Sequence, residues 1–236
     1  MKTAAKQKES HSVRKQVWEY LEKGLKFEQE GQVGKALETY ARAEDLDPNF
    51  APVHVRIGNL LLQQEKYDQA LDYLLTAKNL DPDSEEVGIL LGRLYLAVER
   101  HEEAFSELKA VLNRNHENFA AHHCLANVLS NLGKPMEALQ EYQKALNNSS
   151  SFFKEWIYLE RGNLFKKHSL LEDALREYKT ALKHNPLNPH ARSQLADCYE
   201  KQGKGEEAVK HFKVLFKISR EEQWKREIER LEKGQN

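Results

Sequence analysis

Ala36-Leu37-Glu38-Thr39-Tyr40-Ala41-Arg42-Ala43-Glu44-Asp45-Leu46-Asp47-Pro48 is answered, 34 residues on, by Ala70-Leu71-Asp72-Tyr73-Leu74-Leu75-Thr76-Ala77-Lys78-Asn79-Leu80-Asp81-Pro82. Each stretch sets a small residue, a large one four places later and a second small one at seven, then stops at Leu-Asp-Pro. Spacings of four and seven lie on one face of an α-helix. Pro disfavours helical geometry in the residue before it, so Leu-Asp-Pro reads as a helix stop. The pattern predicts a helix that presents alanines where another helix axis must approach closely.

Outward from these two stretches the pattern continues along the chain. Ala36, Ala70, Ala104 and Ala138 recur every 34 residues, and after a slip of two the step resumes with Ala174 and Ala208. The large residues are Tyr40, Leu74, Leu108, Tyr142, Tyr178 and Phe212, and the second small or apolar set is Ala43, Ala77, Val111, Ala145, Ala181 and Leu215. Earlier in each unit stands Gly24, Gly58, Gly92, Ala126, Gly162 or Ala196, with a bulky residue three places on. A 34-residue period with this order resembles the tetratricopeptide repeat (TPR). The resemblance covers six units, 17–50, 51–84, 85–118, 119–152, 155–188 and 189–220, within a repeat region of residues 13–220. It implies an all-α, right-handed α-solenoid of stacked helix-turn-helix units. Each unit reads as two helices of about fourteen residues. One unit cannot bury its own face, so stacking supplies the core.

The sequence departs from the repeat signature in several places. Its early Trp is replaced by Tyr20, His54, Gly88, His122, Tyr158 and Arg192, and the closing Pro is missing from the third, fourth and sixth units. These changes are expected to weaken individual helix junctions. Asn188-Pro189 is expected to cap one first helix and Asp83, with Glu86, to form a capping box on another. The slip falls in Asn147-Asn148-Ser149-Ser150-Ser151-Phe152-Phe153 and reads as a longer loop. Residues 1–12 read as a flexible tail. Residues 221–236 read as a capping helix with Trp224, Ile228 and Leu231 on one stripe.

Bulk composition narrows the function. The chain has 236 residues, 40% of them hydrophobic, enough for a buried core. Its 36 basic and 37 acidic residues leave a formal net charge of -1, without the basic excess expected of a nucleic-acid binder or of a protein drawn to an acidic membrane. Cys124 and Cys198 stand far apart, outside any CxxC pair, which fits a reducing compartment and no disulfide framework. No secretory leader or membrane span is read, so the chain is expected in the cytoplasm, whole or as a domain of something larger.

No phosphate loop, nucleophile elbow or zinc spacing is present, so no catalytic residue, cofactor or metal site is assigned and no enzyme activity is expected. In His122-His123-Cys124, adjacent helical residues point about 100° apart and do not share one tetrahedral metal. His122 reads as structural. Glu102-Glu103 reads as a solvated first helical turn.

What remains is binding. The family resemblance implies that the first helices line a concave face that grips a peptide or a partner helix. Trp18, Leu21, Leu25, Val55, Leu62, Ile89 and Leu96 are then expected to expose an apolar patch in units one to three. Asn59, Asn127 and Asn163 share one position, and their amides suit a peptide backbone. Arg93 suits a carboxylate, and His123 and Trp156 face the same groove. A carboxylate clamp for heat-shock chaperone tails is disfavoured: its places in units one to three hold Leu21, Leu25, Arg56, Glu86 and Leu90. A non-catalytic adaptor for a protein or peptide ligand is the expected function, with a self-associating homo-oligomeric scaffold or the targeting domain of a larger enzyme as alternatives.

Overall fold

The computed structural model describes residues 2–233, with the side chains of residues 12–150 and 153–233. Among them are thirteen α-helices: α1 (Lys2–Gln29), α2 (Val33–Leu46), α3 (Ala51–Gln63), α4 (Tyr67–Leu80), α5 (Glu85–Ala97), α6 (His101–Arg114), α7 (Phe119–Asn131), α8 (Pro135–Asn148), α9 (Ser151–Lys167), α10 (Leu171–His184), α11 (Pro189–Lys201), α12 (Gly205–Ser219) and α13 (Glu222–Lys233). They form two compact bodies, Met1–Arg114 with α1–α6 and Asn115–Asn236 with α7–α13. In each body odd and even helices pair as hairpins, and the second helix of one pair touches the first helix of the next.

The stripes that define the repeat are its core. Ala36, Ala70, Ala104, Ala138, Ala174 and Ala208 are fully buried, and so are the residues seven places after each. Between them Tyr40, Leu74, Leu108, Tyr142, Tyr178 and Phe212 are buried as well. Each faces the small residue sixteen places earlier. A Cβ on Gly58 would stand 2.8 Å from Leu74, on Gly92 2.7 Å from Leu108, and on Gly162 2.6 Å from Tyr178. On Gly24 it would run into Tyr40. The helices of a hairpin thus meet backbone to large side chain, at a distance only a missing or minimal side chain permits.

Three of the six residues in place of the signature Trp bond the turn that precedes them. His54 Nε2 lies 2.6 Å from the Pro48 carbonyl oxygen and His122 Nε2 2.8 Å from that of His116, and Arg192 donates to the Pro186 carbonyl. Each reaches back six residues to the turn that ends the preceding unit. In two of those turns Asn115 and Asn185 accept from the backbone N–H two residues on, at 3.2 and 3.1 Å. That Asx turn survives at 115 although the following Pro is lost.

Three details differ from the expectations. Helix α1 begins at Lys2, inside the stretch read as a tail. The slip at 147–153 lengthens a helix instead of a loop: α9 has 17 residues where α3, α5, α7 and α11 have 13. Its added turn takes up residues that the polar run suggested would stay irregular. The cap of α5 is Ser84, whose hydroxyl accepts from Val87 N at 3.4 Å, and Asp83 instead sits 3.6 Å from Arg114. Asn188 does cap α11, accepting from Ala191 N at 2.9 Å. Asn118 caps α7 in the same way at 2.9 Å. Helix α13 lays Trp224, Ile228 and Leu231 against Ala196, Ala208, Phe212 and Leu215, closing the core of the last hairpin. Residues 234–236 of the expected capping segment lie outside the described residues.

Gly162→Val should lower the folding free energy by about 2 kcal/mol or more, because the added carbons meet a ring with nowhere to go. Gly34 in α2 has nothing within 4 Å of a built Cβ. Gly34→Ala should therefore raise stability by about 0.5 kcal/mol through helix propensity alone. Urea unfolding midpoints check both; shifts of the same sign would contradict the contact as described.

Candidate functional site

The first helices of each body carry the residues singled out from sequence. In the N-terminal body, Trp18 is 48% exposed and meets Phe50 edge-on at 5.1 Å. Leu21, Val55 and Leu62 are buried, which corrects the expectation that they stand open in a groove. Apolar side chains gain roughly 25 cal/mol for each Å² taken from water, so they sink into the packing when it offers room. Leu25, Ile89 and Leu96 are half-buried and Arg93 is exposed without an ion pair among the described residues. The apolar surface left here is much smaller than the sequence suggested. Arg56 and Glu86, at two of the clamp places, pair with each other at 2.9 Å.

Asn59 has its Oδ1 buried without a hydrogen-bond partner. Its repeat carries Leu74 where others carry a tyrosine, so no hydroxyl reaches it. In the first repeat the tyrosine is present but Leu25 holds the asparagine position, and Tyr40 donates to Glu28 instead.

The C-terminal body is different. Tyr142 donates its hydroxyl to Asn127 Oδ1, and Tyr178 does the same to Asn163 Oδ1 at 2.8 Å. Both tyrosines are buried, and burial pushes their hydroxyls well above the usual phenol range, so they stay protonated donors. The tyrosine proton fixes which end of each amide points at the core: the oxygen is taken, and the NH₂ is left. Asn163 uses part of its NH₂ on Glu160, at 3.3 Å. Asn127 has no second bond among the described residues.

Around these amides the first helices are bridged. Lys167 Nζ lies 3.3 Å from the Ser130 carbonyl oxygen, linking α9 to α7. Lys166 joins α9 to α11, bonding Gln194 at 2.6 Å and pairing with Asp197. Burial pushes the Asp197 carboxyl up, but Lys166 and Lys201 outweigh it and hold it below the usual range. Trp156 is 45% exposed. His123 is half-buried, its ring 6.2 Å from that of Tyr142. His122 is buried and structural: its Nδ1 sits 2.5 Å from Glu141 Oε2. This body therefore brings His123, Asn127, Trp156 and Asn163 onto adjoining first helices. No group of three or more His, Cys, Asp or Glu among the described residues is placed to hold a metal ion.

Two features escaped the sequence reading. The fifteen-residue step from Asn127 to Tyr142 and from Asn163 to Tyr178 was visible as a spacing, and its absence at Asn59 and Leu74 was too. The other is Glu160, a carboxylate on α9 whose surroundings come from three helices and leave no local motif.

Comparison with known proteins fits this architecture. The tetratricopeptide-repeat family matches at residues 28–94 and 169–226 through one family model and at 107–140 through another. The chain belongs to the tetratricopeptide-repeat family: an all-α solenoid fold that serves as a protein–protein interaction module. It resembles the structure described as the APC/C hetero-tetramer Cut9-Hcn1, at 17% identity and a TM-score of 0.81, over 92% of this chain and 43% of that one. It also resembles PilF of Pseudomonas aeruginosa, at 17% identity and a TM-score of 0.73, over 94% of this chain and 99% of that one. A curated relative, Hsp70-Hsp90 organizing protein 2 of Arabidopsis thaliana, is 45% identical over 51 residues, which are 22% of this chain and 9% of that protein. This chain thus spans a small part of that relative and less than half of Cut9-Hcn1. No described helix is long and apolar enough to cross a membrane.

Two outcomes follow for the hydrogen-bonded core. Tyr178→Phe should cost about 1 kcal/mol, and a double-mutant cycle with Asn163→Ala should show coupling of similar size. Additive losses would mean the bond contributes nothing. Burial pushes the Glu160 carboxyl up, with the Asn163 bond pulling it part of the way back. A raised folded value penalises the charged form, so stability is lost as pH rises from the ordinary carboxylate range through that value. Glu160→Gln should raise the urea midpoint near pH 7 and leave it unchanged near pH 4; an effect equal at both would rule out the linkage.

Proposed function

We propose that this chain is a non-catalytic adaptor that holds an extended segment of another protein along the first helices of its C-terminal body. The observation that supports this most directly is the pair of tyrosine-fixed amides, Asn127 and Asn163, whose oxygens are occupied and whose NH₂ groups remain donors. Such donors suit peptide carbonyls. A helical ligand has its carbonyls bonded internally, apart from its last turn, and offers them little. An extended ligand offers one carbonyl per residue, so the amides favour that form over a partner helix. Because the oxygen ends are already oriented, binding costs less ordering of side chains.

Chaperone-tail binding through a carboxylate clamp is not part of this proposal. The similarity to Hsp70-Hsp90 organizing protein 2 covers a short stretch. At the clamp places Leu21 and Leu90 are buried, and Arg56 is occupied by Glu86.

The test removes each amide with its tyrosine hydroxyl, leaving no orphaned core group: Asn127→Ala with Tyr142→Phe, and Asn163→Ala with Tyr178→Phe. A synthetic array of acetylated, amidated random decapeptides is screened with the wild-type chain, and the selected peptides are measured by fluorescence anisotropy. The combined variant should bind them about tenfold more weakly, at about 1 kcal/mol for each lost bond, while still unfolding cooperatively. Unchanged affinity would set the proposal aside.

A further inference from the structure

Trp156 and Glu160 stand four residues apart on α9, neighbours on one helix face, and Asn163 continues that face. Trp156 keeps nearly half its surface open. Glu160 has a single bond among the described residues, the long one from Asn163 Nδ2 at 3.3 Å. It contacts the Asn163 amide directly, and its charge is felt at both buried tyrosine hydroxyls.

A half-buried carboxylate normally takes a cation, and Arg161, Lys166 and Lys167 follow it on the same helix. All are engaged elsewhere. Arg161 grips Glu177 with two bonds of 3.0 and 2.7 Å and adds Gln143 at 3.2 Å. Lys166 pairs with Asp197 and bonds Gln194, and Lys167 bonds the Ser130 carbonyl. The fold has assigned these three basic side chains to other partners, and Glu160 has no ion pair among the described residues. The desolvation of its charged form is already built into the folded state, so an incoming cation gains the attraction without that cost.

We infer that the ligand segment of this face carries a lysine or arginine, received by the Glu160 carboxylate and the open ring of Trp156. The carboxylate supplies a charge-assisted hydrogen bond. The indole face supplies a cation–π contact, strongest for Trp among the aromatic residues. The amides of Asn127 and Asn163 then hold the backbone on either side of that residue. Sequence preference thus resides at one position of the ligand, while the amides tolerate any side chain. The inference rests on the groove reading above and adds the chemistry of the ligand.

The same peptide array tests it. Lysine or arginine should be enriched at one position of the selected peptides. For a selected peptide, replacing that residue by norleucine or citrulline should weaken binding about tenfold. Glu160→Gln should weaken the basic peptide by about the same factor and leave the neutral peptide unaffected. Trp156→Leu should weaken the basic peptide about threefold more than the neutral one. Selected peptides that need the asparagine–tyrosine pairs but show no basic preference, or that bind Glu160→Gln as well as wild type, would overturn the inference and spare the groove. Selected peptides indifferent to the asparagine–tyrosine pairs and to Glu160 would overturn both.

Discussion

The closest constraint in this protein is the approach of a helix backbone to a large side chain sixteen residues later. Gly24, Gly58, Gly92 and Gly162 each leave a space that the partner residue fills below the distance a Cβ tolerates. Ala126 and Ala196 complete the series, and both are fully buried. Everything else in the hairpin is arranged around that contact. The alanines flanking each large residue let the second helix sit low, and its burial removes the hairpin's apolar stripe from water. Apart from α1, the helices are too short to be stable alone, so the contact that joins two of them makes either one persist.

What could be read from the sequence follows from the same fact. Positions that pack inside a hairpin obey a strict period, so Ala36, Tyr40 and Ala43 and their equivalents announced the helices and the core without a structure. Positions that pack between hairpins obey it loosely. His54 and His122 on one hand and Arg192 on the other differ in chemistry and size, yet all reach a carbonyl six residues back. Periodicity of residue type links the two histidines but not Arg192, because the shared feature is a donor of suitable length. The leucines and valine of the N-terminal first helices failed for a related reason. Repeat position says which way Leu21, Val55 and Leu62 leave the helix, but not whether a neighbouring helix covers them. The slip at 147–153 was legible as a change of two residues, and its placement in α9 was not. A polar run tolerates helix and loop alike when its neighbours decide.

The ends of the repeat array are handled differently from its middle. Helix α13 is almost wholly charged outside Trp224, Ile228 and Leu231, and those three residues meet the core that a further hairpin would otherwise cover. Trp224 stacks on Phe212 at 5.8 Å, and Arg230 bonds Glu200 on α11 at 2.7 Å. A repeat core ends in an apolar face by construction, so a polar helix laid across it closes the core and keeps the surface hydrated.

The large core residue also decides what chemistry its hairpin can display. Tyrosine at that place carries a hydroxyl through the core to the residue just after the small one on the first helix. Where that residue is asparagine, as at 127 and 163, the hydroxyl takes the amide oxygen and leaves the nitrogen out of that bond. Leucine at 74 supplies no hydroxyl, and the Asn59 oxygen goes without a partner. Phenylalanine at 212 supplies none either, and there Asp197 is held by lysines instead. A substitution confined to the interior, tyrosine against leucine or phenylalanine, therefore changes which groups the exposed face can offer. In a fold whose repeats share one backbone, this coupling lets successive hairpins differ in the polar groups they present without differing in shape. It also means that the proposed binding surface is not defined by exposed residues alone: the proposed donor is oriented by a buried ring.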